Sequence, residues 1–110
     1  MIEPEIEIET VEDAKTYGIM IICGRRPGIL IFQSSTTKQY FFSLIKQYIP
    51  DVIIINCDSS EDRFENDIKH LHKDDVVIFD NIRKCPHFSN LNRSSMKDMF
   101  KNISKNILIW

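Results

Sequence analysis

The chain has 110 residues, of which 43% are hydrophobic and 27% charged; this is the composition of one folded domain, at a length too short for two. So many apolar residues exclude a disordered chain. No apolar run approaches the roughly 20 residues of a membrane-spanning helix, and the acidic start (Glu3, Glu5, Glu7 and Glu9) is unlike a signal peptide. We therefore expect an intracellular protein, cytoplasmic or nuclear, with no membrane contact.

The formal net charge of −2 conceals an uneven distribution of charge. Residues 1–13 carry six acids and no base, whereas the remaining residues carry 14 bases and 10 acids. Within residues 81–110 six bases face a single acid, Asp98. A cationic surface of this kind suits phosphate groups, although a solvated helix surface is the plainer interpretation. The candidate nucleic-acid contacts in this segment are Arg83, Lys84, Arg93 and Lys97.

The first third of the chain contains three apolar segments. Residues 5–9 alternate Glu and Ile, which predicts an edge strand with one acidic face. The apolar runs at residues 19–23 and 28–32 flank a turn sequence that begins with Gly24 and ends with Pro27. This pattern predicts a β-hairpin.

From residue 28 onward, short apolar strands alternate with segments of helical period, which predicts a parallel sheet covered by helices. The expected fold is a three-layer α/β sandwich with a mostly parallel sheet. We predict one domain over residues 1–110, with residues 1–27 as an N-terminal strand and hairpin arm and residues 28–110 as the core. The predicted core elements are a helix at 38–49, a strand at 52–55, a helix after Ser60, a strand at 76–79, a helix after Ser95 and a strand at 107–110.

Polar residues follow two of these strands, and ligands bind beyond the carboxyl ends of the strands in open parallel sheets. Small polar side chains and a lysine at the start of a helix suit phosphate, because free N–H groups and the helix dipole both favour an anion. A loop with an ordinary N-cap is the alternative. Asp80 ends another strand, where a carboxylate suits metal or phosphate chemistry. The candidate phosphate-binding residues are Ser34, Ser35, Thr36, Thr37, Lys38 and Gln39.

The order of these elements, with a lysine after one strand and Asp80 at the end of another, resembles the P-loop ATPases of viral type. Examples are the poxvirus-type DNA-packaging ATPases and the superfamily 3 helicase domains of replication initiators. The resemblance covers residues 28–110. It implies that Lys38 reaches the β- and γ-phosphates of ATP or GTP, and that Asp80 holds Mg²⁺. Asn81 stands where these ATPases place the carboxylate that orients the attacking water.

The phosphate-loop pattern of that family, G-x-x-x-x-G-K-[ST], matches this chain at the lysine alone. Phe32 and Thr37 occupy the two glycine positions, and Gln39 replaces the hydroxyl residue that would bind Mg²⁺. The amide of Asn81 accepts no proton, and losing a general base costs ~10²–10⁴ in rate. We therefore expect a nucleotide phosphate-binding domain, associated with nucleic acid, that hydrolyses NTP weakly or not at all, with Asp80 and Asn81 at the catalytic positions.

Two alternatives come from other functional classes. One is a non-enzymatic α/β module whose acidic edge strand pairs with a protein partner or a second copy of the chain. The other is a flavodoxin- or receiver-like domain in which Asp58 and Asp80 hold Mg²⁺, although Gln33 stands where such a site needs a further acid.

The cysteines and histidines predict neither zinc nor a disulfide. Zinc ligands pair at wider spacings than the alternate positions occupied by His70 and His72 or by Cys85 and His87. Three cysteines, two of them in or beside apolar runs, are more typical of buried reduced thiols.

Overall fold

A computed structural model describes residues 5–72, 74–84 and 105–110, and this part of the chain forms an α/β fold with a five-stranded, all-parallel sheet. The sheet order is β1-β2-β5-β4-β3. The strands are β1 (Glu5–Ile8), β2 (Ile29–Phe32), β3 (Ile53–Asn56), β4 (Val76–Asp80) and β5 (Lys105–Ile109). The helices are α1 (Val11–Ile22), α2 (Ser35–Tyr48) and α3 (Glu61–Lys69), and a short 3₁₀ turn follows β4 at Ile82–Lys84.

The central strands β2, β5 and β4 bury residues on both faces of the sheet, because successive side chains of a strand point to opposite sides. The α2-side cluster joins α1 and α2 to one face and includes Ile21, Leu30, Phe41, Ile78 and Ile107. The α3-side cluster joins α3 to the other face and includes Ile29, Phe64, Val77, Phe79 and Leu108. The predicted three-layer α/β sandwich is confirmed, and β1 is confirmed as an edge strand.

The strand order fixes where the chain changes sides. The connections through α1 and α2 run along the sheet in one direction, and the connection through α3 runs in the other. Because the crossovers are right-handed, α1 and α2 lie on one face of the sheet and α3 lies on the other. After β4 the chain continues on the α3 side, where Ile82 is fully buried. Strand β5 lies between β2 and β4. In open α/β sheets ligands bind where neighbouring strands lead to opposite faces of the sheet. Here β2 leads to the α2 side and β4 to the α3 side, so we expect a crevice at the carboxyl end of β5.

The predicted β-hairpin is wrong, because residues 19–22 belong to helix α1. The helix begins with a capping box in which the Thr10 hydroxyl accepts the Asp13 N–H and the Asp13 carboxylate accepts the Thr10 N–H. Its buried residues, Ala14, Gly18 and Ile21, recur at helical spacing. The β-branched run is therefore helical because this face packs on α2, and tertiary packing overrides local β propensity.

Residues 5–22 consequently form a strand and a helix that pack against the rest of the sheet and α2. Strand β1 pairs in parallel with β2 over four residues. Helix α1 packs closely on α2, since a Cβ at Gly18 would lie 2.7 Å from Leu44 Cδ2. Cys57 is buried as expected, whereas Cys23 is exposed just after the last residue of α1.

The capping box gives a first prediction on stability. We expect Thr10→Ala to lower the free energy of unfolding by about 1 kcal/mol, because the substitution leaves the Asp13 N–H without its acceptor. Urea denaturation measures the change. Thr16→Ala is the matched control, since Thr16 lies inside the same helix and is exposed. Equal effects of the two substitutions would contradict a capping role.

The remaining predicted core elements lie within a few residues of the observed ones, and the helix predicted after Ser95 falls outside the described residues. The strand order differs from the 2-1-3-4-5 order of flavodoxin-like folds, so the flavodoxin- or receiver-like alternative is not supported by the topology.

Candidate functional site

The Lys38 ammonium and the Asp80 carboxylate form an ion pair at the carboxyl end of the sheet. Lys38 is the fourth residue of α2, the helix that follows β2, and Asp80 is the last residue of β4. The Nζ to Oδ1 distance is 2.7 Å, and the side chains are 22% and 12% exposed. The structure thus brings together the two residues that the sequence predicted for phosphate and metal.

Among the described residues, the partners of the Asp80 carboxylate all bind one of its two oxygens. Its Oδ1 accepts hydrogen bonds from Lys38 and from the Asn81 backbone N–H at 2.8 Å. Its Oδ2 has no protein partner within the described ranges. A carboxylate with one oxygen held and the other open can bind a hard cation directly or through water.

Asn81 is held in an unusual conformation next to this carboxylate. Its φ is 56°, in the left-handed region that Asn tolerates better than most residues. Its side-chain NH₂ donates to Asn56 Oδ1 at 3.1 Å, and that oxygen also accepts the Asp58 backbone N–H. The register pairs Asn56 with Asp80, so this hydrogen bond links the ends of β3 and β4.

The polar segment after β2 forms a capped helix start, so its residues do not wrap around an anion as a loop. Only Gln33 and Ser34 separate β2 from α2. The Ser34 hydroxyl accepts the N–H of Thr37, whose side chain is buried. The N–H groups of Ser35 and Thr36 have no protein partner in the part of the chain that the structure describes. These two donors, at the positive end of the helix dipole, can meet an anion.

Phe32 and Thr37 occupy the two glycine positions of the P-loop pattern, and each stabilises the start of α2 or its packing. The ring of Phe32 packs against Phe41 with centroids 5.2 Å apart, and Phe32 belongs to the α2-side cluster. Thr37 completes the cap, with its hydroxyl 2.8 Å from that of Ser34. A glycine-rich loop needs glycine for its backbone conformation, as in P-loop proteins. This chain has a capped helix start at the same place, which does not need glycine.

A crevice of about 120 Å³ opens beside the ion pair. Its lining includes the cations Lys38 and Arg83, the amide of Asn81 and the aromatic rings of Phe32 and Trp110. It lies at the carboxyl ends of β2, β4 and β5, where the strand order leads us to expect a ligand site.

A larger groove, of about 420 Å³, follows the edge strand β3 and the polar side of α3. Its charged and titratable lining residues are Arg63, Asp67 and His70. A large cavity is the usual first candidate for a ligand site. Here we favour the smaller crevice, because it lies at the carboxyl ends of β2 and β5 and is lined by Lys38, the partner of Asp80.

The other predicted site residues are more dispersed. Ser35, Thr36 and Gln39 are exposed on the first turns of α2, and Gln39 is not among the crevice residues. Arg83 and Lys84 are exposed on the 3₁₀ turn after β4. Arg93 and Lys97 fall outside the described residues.

Sequence reasoning missed two residues of this region, Asn56 and Trp110. Asn56 accepts a hydrogen bond from the Asn81 side-chain amide, and the backbone N–H of Trp110 donates to Leu30 O at 2.9 Å beside the crevice. Both follow apolar strand runs, so the rule that polar or aromatic residues at strand ends line a site would have found them.

Within the described residues no group of three or more His, Cys, Asp and Glu side chains could hold a metal ion. Mg²⁺ does not need such a group, because it is commonly bound by one or two carboxylates together with substrate phosphates and water. The single carboxylate of Asp80 fits that donor set. Among the described helices none is long and apolar enough to cross a membrane.

Comparisons of the chain with protein-family models, with curated proteins and with solved structures found no match. The resemblance to viral P-loop ATPases therefore stays a prediction from the sequence, and the functional argument depends on the geometry of the site.

Proposed function

We propose that this domain binds the phosphate groups of ATP or GTP with Mg²⁺ in the crevice at the end of β5, and that it hydrolyses them weakly or not at all. The observation that carries the proposal is the 2.7 Å ion pair between Lys38 and Asp80 at the mouth of a parallel sheet. A cation beside a helix N-terminus and a carboxylate beside it are the parts that phosphate and Mg²⁺ require.

In the structure the Lys38 ammonium is paired with the Asp80 carboxylate. An incoming phosphate offers Lys38 more negative charge than one carboxylate does, so the ammonium exchanges Asp80 for phosphate oxygens. Asp80 would then hold Mg²⁺, which would offset the negative charge of the phosphates. The exchange costs little solvation, because both side chains already lie partly out of water.

Weak hydrolysis follows from Asn81. Its NH₂ group is already engaged with Asn56, and an amide oxygen is a poor proton acceptor. Asp80, the nearest carboxylate, is committed to Lys38 or to the metal. The described part of the site therefore offers no free general base, which by itself costs ~10²–10⁴ in rate.

Calorimetric titration of the purified protein with Mg·ATP and Mg·GTP tests the proposal. We expect saturable binding with one ligand per chain. Absence of saturable binding for both nucleotides would overturn it, and the protein-interaction alternative, in which the edge strand β1 adds to a partner sheet, would then take its place.

The proposed role of Asp80 predicts that Asp80→Asn changes ATP affinity in opposite directions with and without Mg²⁺. In the presence of Mg²⁺, Asp80→Asn should weaken ATP binding by about tenfold or more, because a charge-assisted contact to the cation is lost. In EDTA the same substitution should strengthen ATP binding, because Lys38 no longer has to leave a carboxylate.

Fluorescence or calorimetric titrations in both buffers measure these changes. Asp58→Asn is the matched control, since Asp58 is an exposed acid just beyond the end of β3. Equal effects of the two substitutions in Mg²⁺ would contradict a specific role of Asp80 toward the cation.

A further inference from the structure

The chain path after β4 returns Arg83 to the crevice. Asn81, with its positive φ, turns the backbone sharply, and Ile82 is fully buried in the α3-side cluster. This anchor places the next residue, Arg83, on the lining of the crevice that Lys38 also lines. The following residue, Lys84, is exposed and is not among the lining residues.

The described lining of the crevice therefore carries two cations, Lys38 and Arg83, and no carboxylate. Lys38 is paired with Asp80, so the guanidinium of Arg83 supplies the excess positive charge. Arginine presents its donors in a planar fork that matches two oxygens of one phosphate, which a lysine ammonium does not. This second cation suits a chain of phosphates better than a single carboxylate or a neutral ligand.

The size of the crevice limits what it can enclose. Its volume of about 120 Å³ is well below the roughly 300–1,000 Å³ of pockets that bury a drug-sized ligand. It accommodates the phosphate end of a nucleotide and leaves the nucleoside outside. Of the described lining residues only Asn81 carries an amide, and its NH₂ group already donates to Asn56, so few donors remain to distinguish one base from another.

We propose that Arg83 is a second phosphate-binding residue, and that the crevice recognises the polyphosphate end of its ligand without distinguishing the base. This inference rests on the proposed function and makes it more specific. Inorganic tripolyphosphate is then a sufficient ligand, and ATP and GTP are equivalent ligands.

Titrations with tripolyphosphate, Mg·ATP and Mg·GTP test base recognition. Trp110 is the sole tryptophan of the chain and lines the crevice, so its fluorescence reports occupancy. We expect the three dissociation constants to agree within about threefold, whereas a single lost hydrogen bond to a base would separate them by about tenfold. Binding of Mg·ATP without binding of tripolyphosphate would overturn the inference and leave the proposed function standing. Binding of none of the three would overturn both.

The role of Arg83 is tested by comparing Arg83→Ala with Lys84→Ala. Both substitutions remove one exposed positive charge from the same 3₁₀ turn, so they match in their effect on the overall field. We expect Arg83→Ala to weaken tripolyphosphate binding by about three- to tenfold, since solvent screens an exposed cation, and Lys84→Ala to change it by less than about twofold. Equal losses would assign the effect to general attraction and overturn the assignment of Arg83. Far-UV circular dichroism of both variants checks that each is folded.

Discussion

Lys38→Ala is expected to weaken Mg·ATP binding by about ten- to a hundredfold, because it removes a charge-assisted contact worth roughly 1.5–3 kcal/mol. Nothing else on α2 can replace the ammonium, since Gln39 is not among the crevice residues and Tyr40 is an exposed aromatic residue. Calorimetry of the variant against the wild-type protein measures the change.

Lys46→Ala is the matched control for this experiment. Lys46 is an exposed lysine in the last turn of the same helix, so its removal changes the net charge equally without touching the crevice. Removal of Lys38 also leaves Asp80 without its partner, so the free energy of unfolding should be measured for both variants. A folded Lys38→Ala protein that binds Mg·ATP as tightly as Lys46→Ala would refute the assignment of Lys38.

Phe41→Ala is expected to have the largest effect on stability, lowering the free energy of unfolding by about 3–5 kcal/mol. Phe41 is fully buried in the α2-side cluster and contacts the ring of Phe32, at the end of the strand that leads to the site. Since a domain of this size has about 5–15 kcal/mol of stability in total, the variant should be partly unfolded at moderate temperature.

Denaturation by urea measures this loss, with Tyr48→Ala as control. Tyr48 is an aromatic residue of the same helix whose side chain is 60% exposed, so its removal should change stability by no more than about 0.5 kcal/mol. Similar losses for the two variants would show that the α2-side cluster does not hold the helix as described. Phe41→Ala should also weaken nucleotide binding at temperatures where it remains folded, because α2 carries Lys38.

Strands could be predicted from the sequence where apolar residues form a continuous run between turn residues. The runs that became β3 and β4 are of this kind, and both strands are buried on two faces. The same rule failed at residues 19–22, where a β-branched run is the end of a helix. Thr10 and Asp13 at capping-box spacing were the available signal for a helix start.

The two charged residues of the candidate site were predictable from the sequence, whereas the backbone structure of the segment before Lys38 was not. Lys38 and Asp80 were identified because each follows an apolar strand, and parallel strands bring their carboxyl ends to one edge of the sheet. The small polar residues before Lys38 suited either a phosphate site or an ordinary N-cap, and in the structure Ser34 caps a helix that begins at the next residue. A phosphate loop and a capped helix use the same small polar residues, so composition does not separate them.

By itself, the sequence determined the alternation of strands and helices, the burial of both sheet faces and the pair of charged residues that follow two strands, because these are local patterns of polarity. Only the tertiary structure decided which strands are neighbours, and hence that Lys38, Arg83 and Trp110 line one crevice and that Asp80 pairs with Lys38. Strand order depends on which helix packs on which face. That choice is made by contacts between residues far apart in the chain, and no local pattern records it.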